Sequence, residues 1–273
     1  MATELVARAP DGVPLAVSVH GDAGELVLLI PGLGATRVVF DPLVGHLVAR
    51  GLRPAVMDNR GVGGSGRSPG PYSMTQLAAD AATVIDALGV PRTHVLGASM
   101  GGMIAQHVAL DHPGKVHRLV LACTGPGRSH AVKAAPENTA KLLGRGARTA
   151  EEAYRLACEV LYDPAFAAAH PDFIEQQIRD RARRPVPAAV FQAQRAASWE
   201  HDTWERLPRI TAPTLVIHGT NDLVMPVGNG RILAERIPGA VLVELQGAGH
   251  LLFHEQPEEF SDAVASFLFA GRH

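Results

Sequence analysis

The chain has 273 residues, long for one average domain and short for two full ones, so a single core with a sizeable insertion fits best. Charged residues make up 19% and the formal net charge is −2, a balance that gives no reason to expect nucleic acid or an acidic polymer as partner. Two cysteines, Cys123 and Cys158, give no disulfide framework, and no stretch approaches the roughly 20 apolar residues that span a bilayer. With no basic, apolar leader in MATELVARAPDG, the expectation is a cytoplasmic protein with no membrane attachment.

The first twenty residues alternate around the turn pair Asp11-Gly12, which predicts a β-hairpin. Leu26 to Ile30 is a continuous apolar run, suited to a strand buried on both faces, and ends in Pro31-Gly32-Leu33-Gly34. Helical spacing follows from Val38 to Arg50, then a short strand from Pro54 to Met57 that stops at Asp58. Ser73 and Gln76 form a capping box before a helix through Leu88. His94 to Leu96 is a strand, Ser99 to Leu110 a helix, and Leu119 to Cys123 a strand in which Cys123 reads as a small buried hydrophobe. This alternation predicts an open, mostly parallel α/β sheet with helices on both faces.

At Gly125 the alternation stops. From 126 to 207 the chain is rich in Ala and Arg, helical in composition, and cut by prolines at 136, 164, 171, 185 and 187. It reads as a helical lid inserted into a core of residues 1–125 and 208–273. Its aromatics (Tyr154, Tyr162, Phe166, Phe173, Phe191, Trp199 and Trp204) could line a pocket, although packing onto the core is the plainer role for each. Arg179 to Arg184 could hold a substrate carboxylate or form a solvated helical face. The α/β pattern resumes with strand Thr214 to Ile217, a helix near Arg231 to Arg236, strand Val241 to Leu245 and a closing helix from Pro257 to Phe269.

Gly97-Ala98-Ser99-Met100-Gly101 matches G-x-S-x-G, a short motif in a chain with 28 glycines, so its context carries the weight. The context is a strand, a sharp turn and a helix, which exposes a serine to substrate beside a helix N-terminus. A serine hydroxyl needs a base. Of 13 histidines, His250 in Gly247-Ala248-Gly249-His250 stands just past the last predicted strand. His254, four residues on, reads as a neighbouring surface histidine; no third ligand accompanies the pair, so no metal site is expected. The base needs a carboxylate, and Asp222 follows the strand Thr214 to Ile217. Leu33, between two glycines, and Met100 are the candidate backbone donors for an oxyanion hole.

These residues, with Asp58-Asn59-Arg60-Gly61-Val62-Gly63-Gly64-Ser65, resemble the α/β-hydrolase superfamily over the chain apart from the insertion. The resemblance implies the α/β-hydrolase fold, a triad of Ser99, Asp222 and His250, an oxyanion hole at Leu33 and Met100, structural roles for Asp58 and Arg60, and no cofactor. One departure is Pro31-Gly32 where many members carry His-Gly. Serine at the elbow argues against haloalkane dehalogenases, epoxide hydrolases and dienelactone hydrolases, and Leu251 after the histidine against most meta-cleavage C–C hydrolases. Gly97 to Gly102 with Met103-Ile104-Ala105-Gln106 is similar to 3-oxoadipate enol-lactonases and small carboxylesterases. The resemblance thus implies hydrolysis of a carboxylic ester or lactone of a small, largely apolar substrate. A cofactor-free perhydrolase, a C–C hydrolase or a triad-bearing ligand receptor are the alternatives, and the oligomeric state is left open.

Overall fold

The computed structural model describes residues 2–271. The Asp11-Gly12 hairpin joins β1 (Thr3–Arg8) and β2 (Pro14–Val19), which pair antiparallel from Thr3 opposite Val19 to Arg8 opposite Pro14. β3 (Glu25–Ile30) follows, with Val27 to Ile30 fully buried. After a 3₁₀ turn, α1 (Asp41–Ala49) leads to β4 (Leu52–Met57). α2 (Met74–Ala87) starts where predicted, with the Ser73 hydroxyl accepting from the Gln76 N–H at 3.1 Å, a cap that stabilises a helix by about 1 kcal/mol. β5 (Thr93–Ala98), α3 (Met100–Asp111) and β6 (Val116–Ala122) complete the first run of alternation.

Between β6 and β7 lie five helices: α4 (Pro136–Leu142), α5 (Ala150–Leu161), α6 (Pro164–Ala169), α7 (Pro171–Arg183) and α8 (Ala188–Glu200). Pro136, Pro164 and Pro171 each stand at a first helical position, where the missing N–H costs no hydrogen bond; the expected breaks are helix starts. β7 (Thr214–Gly219), α9 (Gly228–Arg236), β8 (Val241–Leu245), α10 (Leu252–Glu255) and α11 (Pro257–Phe269) close the chain.

The strands form one eight-stranded sheet in the order β1-β2-β4-β3-β5-β6-β7-β8, antiparallel over β1, β2 and β4 and parallel from β4 onward. Alternate residues of each strand feed two apolar layers. One holds Leu28, Ile30, Val95, Leu119 and Leu121 under α2 and α3; the other holds Leu29, Leu96, Val120 and Ile217 under α1 and α11. Both faces being covered is why these strands read as unbroken apolar runs.

Two buried polar residues hold neighbouring segments together, in line with the structural role that the resemblance implied for them. The Arg60 guanidinium is 1% exposed and makes two 2.6 Å hydrogen bonds to the Asp80 carboxylate and one of 2.8 Å to Asp11. Asp58 accepts the Arg37 and Gly64 N–H groups at 2.7 and 2.9 Å, which closes the loop after β4.

Candidate active site

The strand order places a switch point between β3 and β5. From β3 the chain moves outward to β4, then crosses back to β5 and continues the other way. Loops leaving the carboxyl ends of such strands diverge and open a crevice, where ligands bind in sheets of this kind. The loop after β3 carries Gly32, Leu33 and Gly34, and the turn after β5 carries Ser99.

Ser99 sits between the last residue of β5 and the first of α3, at φ 57° and ψ −120°. A non-glycine residue at positive φ costs on the order of 1–3 kcal/mol, which the surroundings must hold in place. They do so closely: the Ser99 N–H donates to the Ala122 carbonyl at 2.9 Å, and the Thr124 hydroxyl donates to the Ser99 carbonyl at 2.8 Å. The motif glycines are required by contact. A Cβ on Gly97 would lie 2.1 Å from the Gly101 carbonyl oxygen, and one on Gly101 2.0 Å from that of Ile30. Cys123 is buried as expected, with the additional feature of φ 43° at the end of β6.

His250 follows β8 and Asp222 follows β7, and the structure brings them together. His250 Nδ1 and Asp222 Oδ2 are 2.8 Å apart, both side chains being almost wholly buried. The other carboxylate oxygen accepts the Val224 and Met225 N–H groups, each at 2.8 Å. Burial would raise the Asp222 carboxyl. Its attraction to His250, hydrogen bonds from His218 and His250, and attraction to His218 outweigh this and hold it at about 2. The carboxylate is therefore ionised across the neutral range, and the Nδ1–H of His250 points at it. That fixes the tautomer with a free Nε2. His218 stands 3.3 Å from the same oxygen and bonds the Met225 carbonyl at 2.6 Å; as part of an apolar strand it carried no signal of this role.

Ser99, His250, Leu33 and Met100 all line one cavity of about 670 Å³, within the range of small-molecule sites. Neither the Leu33 N–H nor the Met100 N–H donates to a backbone carbonyl among the described residues, which leaves both free for a ligand. Gly32 lets the β3 loop run against the serine, since a Cβ there would stand 3.2 Å from Ser99 Cβ.

The segment between β6 and β7 supplies much of the remaining wall. Of its aromatics, Tyr154, Phe191 and Trp199 reach the cavity; Tyr162, Phe166 and Phe173 pack into the apolar layer beneath, and Trp204 packs on the other layer. The arginine run divides. Arg181 lines the cavity, with its guanidinium 5.7 Å from the Tyr154 ring centre, whereas Arg179 and Arg183 bond only to polar neighbours on their own helix.

His254 departs from expectation. It is buried, not on the surface: Nδ1 is 2.9 Å from the Tyr162 hydroxyl and Nε2 2.6 Å from the Val39 carbonyl. With Nε2 donating and Nδ1 accepting, the neutral ring satisfies both partners, and burial pushes its pKa down to about 4. The His250–His254 spacing suggested neighbours on a surface, but the chain turns between β8 and α11 and α10 faces inward. Far from this site, Glu25, His94 and His117 converge at the opposite, amino ends of β3, β5 and β6, with ligand atoms within 4.8 Å of one another.

A strained serine at a strand-to-helix turn, a carboxylate-held histidine and two backbone N–H groups without a backbone acceptor thus meet at one cavity on the carboxyl edge of an α/β sheet. The comparisons give the family: residues 25–257 match the profile of the α/β-hydrolase fold, and the chain belongs to that family. The chain is accordingly a hydrolase. The chain is 33% identical over 264 residues to a Variovorax paradoxus protein that bears the name carbamate hydrolase RutD, covering 94% of this chain and 96% of that one. It is 30% identical over 213 residues to 3-oxoadipate enol-lactonase 2 of Acinetobacter baylyi, 77% of this chain and 76% of the relative. The crystal structure of a hydrolase from Pseudomonas aeruginosa superimposes with a TM-score of 0.85 at 32% identity, covering 98% of this chain and 99% of the other. Among the described residues no helix is long and apolar enough to cross a membrane.

Proposed function

We propose that the chain is a serine hydrolase that cleaves carboxylic ester or lactone bonds of a small molecule through an acyl-enzyme. The observation that carries this is the strained Ser99 opening into the same cavity as His250, whose Nδ1 lies 2.8 Å from Asp222. In this reading His250 Nε2 takes the Ser99 hydroxyl proton as Oγ attacks the substrate carbonyl. Asp222 stabilises the imidazolium without itself taking the proton. The Leu33 and Met100 N–H groups receive the oxyanion, and the positive end of α3 adds to their pull. His250 then returns its proton to the leaving oxygen, and a water activated by the same nitrogen releases the acid.

In this scheme helices α4 to α8, within residues 126–207, act as a lid that selects the substrate. The cavity floor is apolar (Met103, Leu142, Leu161 and Phe253), which suits the expected small apolar acyl or alcohol part. Its charged lining is basic: Arg128, Lys133, Arg145, Arg181, Arg184 and Arg195 stand against a single carboxylate, Asp180. This imbalance supports an ester or lactone that also carries an acid group, because like-signed walls raise the local concentration of the opposite ion. The relatives' names, a carbamate hydrolase and an enol-lactonase, are consistent with acyl-group hydrolysis.

The test is Ser99→Ala assayed on p-nitrophenyl acetate and butyrate. Turnover should fall on the order of a millionfold where the serine is the nucleophile, to the small residue that binding and the oxyanion donors alone supply. Retained turnover would remove Ser99 from the mechanism.

A further inference from the structure

Gly34 follows the proposed oxyanion donor directly and has φ 62°; a Cβ there would come within 2.8 Å of the Phe191 ring. Both of its polar groups are held by the helices between β6 and β7. Its N–H donates to Gln194 Oε1 of α8 at 2.9 Å, and its carbonyl accepts from Arg181 Nη1 of α7. Gln194 is fully buried, and its amide nitrogen donates to the Arg60 carbonyl at 3.3 Å. One side chain thus ties α8 to the loop after β3 and to the loop after β4. A buried amide in an otherwise apolar helix face, between Val190 and Ala197, is costly unless both ends are satisfied, and here both are.

We propose that Gln194 is a positioning residue for the oxyanion hole: it clamps the Gly34 N–H so that the Leu33 N–H faces the developing oxyanion. The Gly34 N–H belongs to the Leu33–Gly34 peptide, so anchoring it fixes that peptide plane. Only the two dihedrals at Leu33 separate this plane from the peptide that carries the Leu33 N–H. Arg181 holds the far side of Gly34, which leaves the loop little freedom to rotate. Seating of α7 and α8 on the core and readiness of the oxyanion hole are then one event. The inference rests on the reading of Ser99 as nucleophile and Leu33 as donor given above.

The experiment compares Gln194→Leu and Gln194→Glu with the parent enzyme. The leucine variant keeps the size of the side chain and leaves the Gly34 N–H without its acceptor; the glutamate variant restores the acceptor and loses the bond to Arg60. For p-nitrophenyl butyrate, Gln194→Leu should lower kcat about tenfold to a hundredfold, the scale of an impaired oxyanion donor, with KM within about twofold. Affinity for a boronate or phosphonate transition-state analogue should fall by the same factor, and Gln194→Glu should recover most of the loss. A role in folding alone would lower Tm and leave kcat per folded molecule and analogue affinity unchanged. Folded Gln194→Leu with parental kcat, or with a change in KM alone, overturns the proposal. Gln194→Met, which also removes the acceptor while keeping an unbranched side chain, supplies the same readout should the leucine variant not fold; parental kcat there overturns it too. Ser99→Ala separates the two claims: if it leaves turnover intact, the reading of the site has failed and not the clamp.

Discussion

The sheet's carboxyl edge and the five helices between β6 and β7 are built by different rules. At the edge, position is fixed by the backbone: Ser99 is held at positive φ by strands β5 and β6, and Gly97 and Gly101 leave no room for any side chain. In α4 to α8 few side chains are buried, namely Ala157, Cys158, Val160, Ile178, Val190, Gln194 and Ala197. Where strands fix geometry to tenths of an ångström, chemistry can be placed. Where helices rest on a surface through a few anchors, size and charge of the cavity can change without disturbing the fold beneath.

The largest effect should come from the edge. Asp222→Asn keeps the shape of the side chain and its acceptor for the Val224 and Met225 N–H groups, but can present an N–H to His250. The imidazole would then hold its proton on Nε2, the nitrogen proposed to take up the Ser99 proton. We expect kcat to drop by about 10⁴ with little change in KM or Tm. A loss below tenfold would detach Asp222 from the chemistry and blur the contrast between edge and helices.

The helices should instead govern which ester is accepted. Arg128 is exposed at the rim, its guanidinium stacked 3.9 Å from the Trp199 ring centre. Exposed charges act mainly through steering and are screened by salt within roughly 8–10 Å at physiological ionic strength. Arg128→Gln should therefore lower kcat/KM several-fold for a carboxylate-bearing ester, and leave a neutral ester of equal length unchanged. Adding salt to the parent enzyme should reproduce that loss. Equal effects on both esters would show that the rim does not select by charge.

The same difference explains what could be read from residues alone. The strands declared themselves through runs such as Leu26 to Ile30 and Thr214 to Ile217, and Ser99, Asp222 and His250 stood out because each follows such a run. Leu33 and Met100 followed from the loops those strands end in. Gln194 and Arg181 were illegible as partners of Gly34, which lies 160 and 147 positions away, because nothing in α7 or α8 encodes which loop the helices rest on. Arg181 was visible only as one of several arginines. His254 misled for a related reason: a polar residue near a chain turn is usually exposed, and only the packing of Tyr162 against it makes the interior the better place.

His254 also joins the two regions, since its partners are Tyr162 at the end of α5 and Val39 before α1. The rings of Phe253 and Phe173 meet it edge-on at 5.0 and 5.7 Å, so its surroundings favour the neutral form. Its folded pKa of about 4 lies below the roughly 6.5 of an unfolded chain. The unfolded state thus binds the proton first as pH falls. The stability contributed by burying the neutral ring is complete above about pH 6.5 and shrinks toward pH 4, by about 1.4 kcal/mol per pH unit for one proton. His107 and His201, also lowered by burial, add slopes of the same sign, whereas the stability from Asp222, held at about 2, is complete above the ordinary carboxylate pKa and is lost only as pH falls from there toward 2. Urea unfolding between pH 4 and 6.5 should therefore show a steeper pH dependence for the parent than for His254→Phe, by one proton, with the remaining histidines common to both. Parallel slopes would mean that His254 takes up its proton in the folded protein as readily as in the unfolded one, and that the seam between helices and core is open to water there.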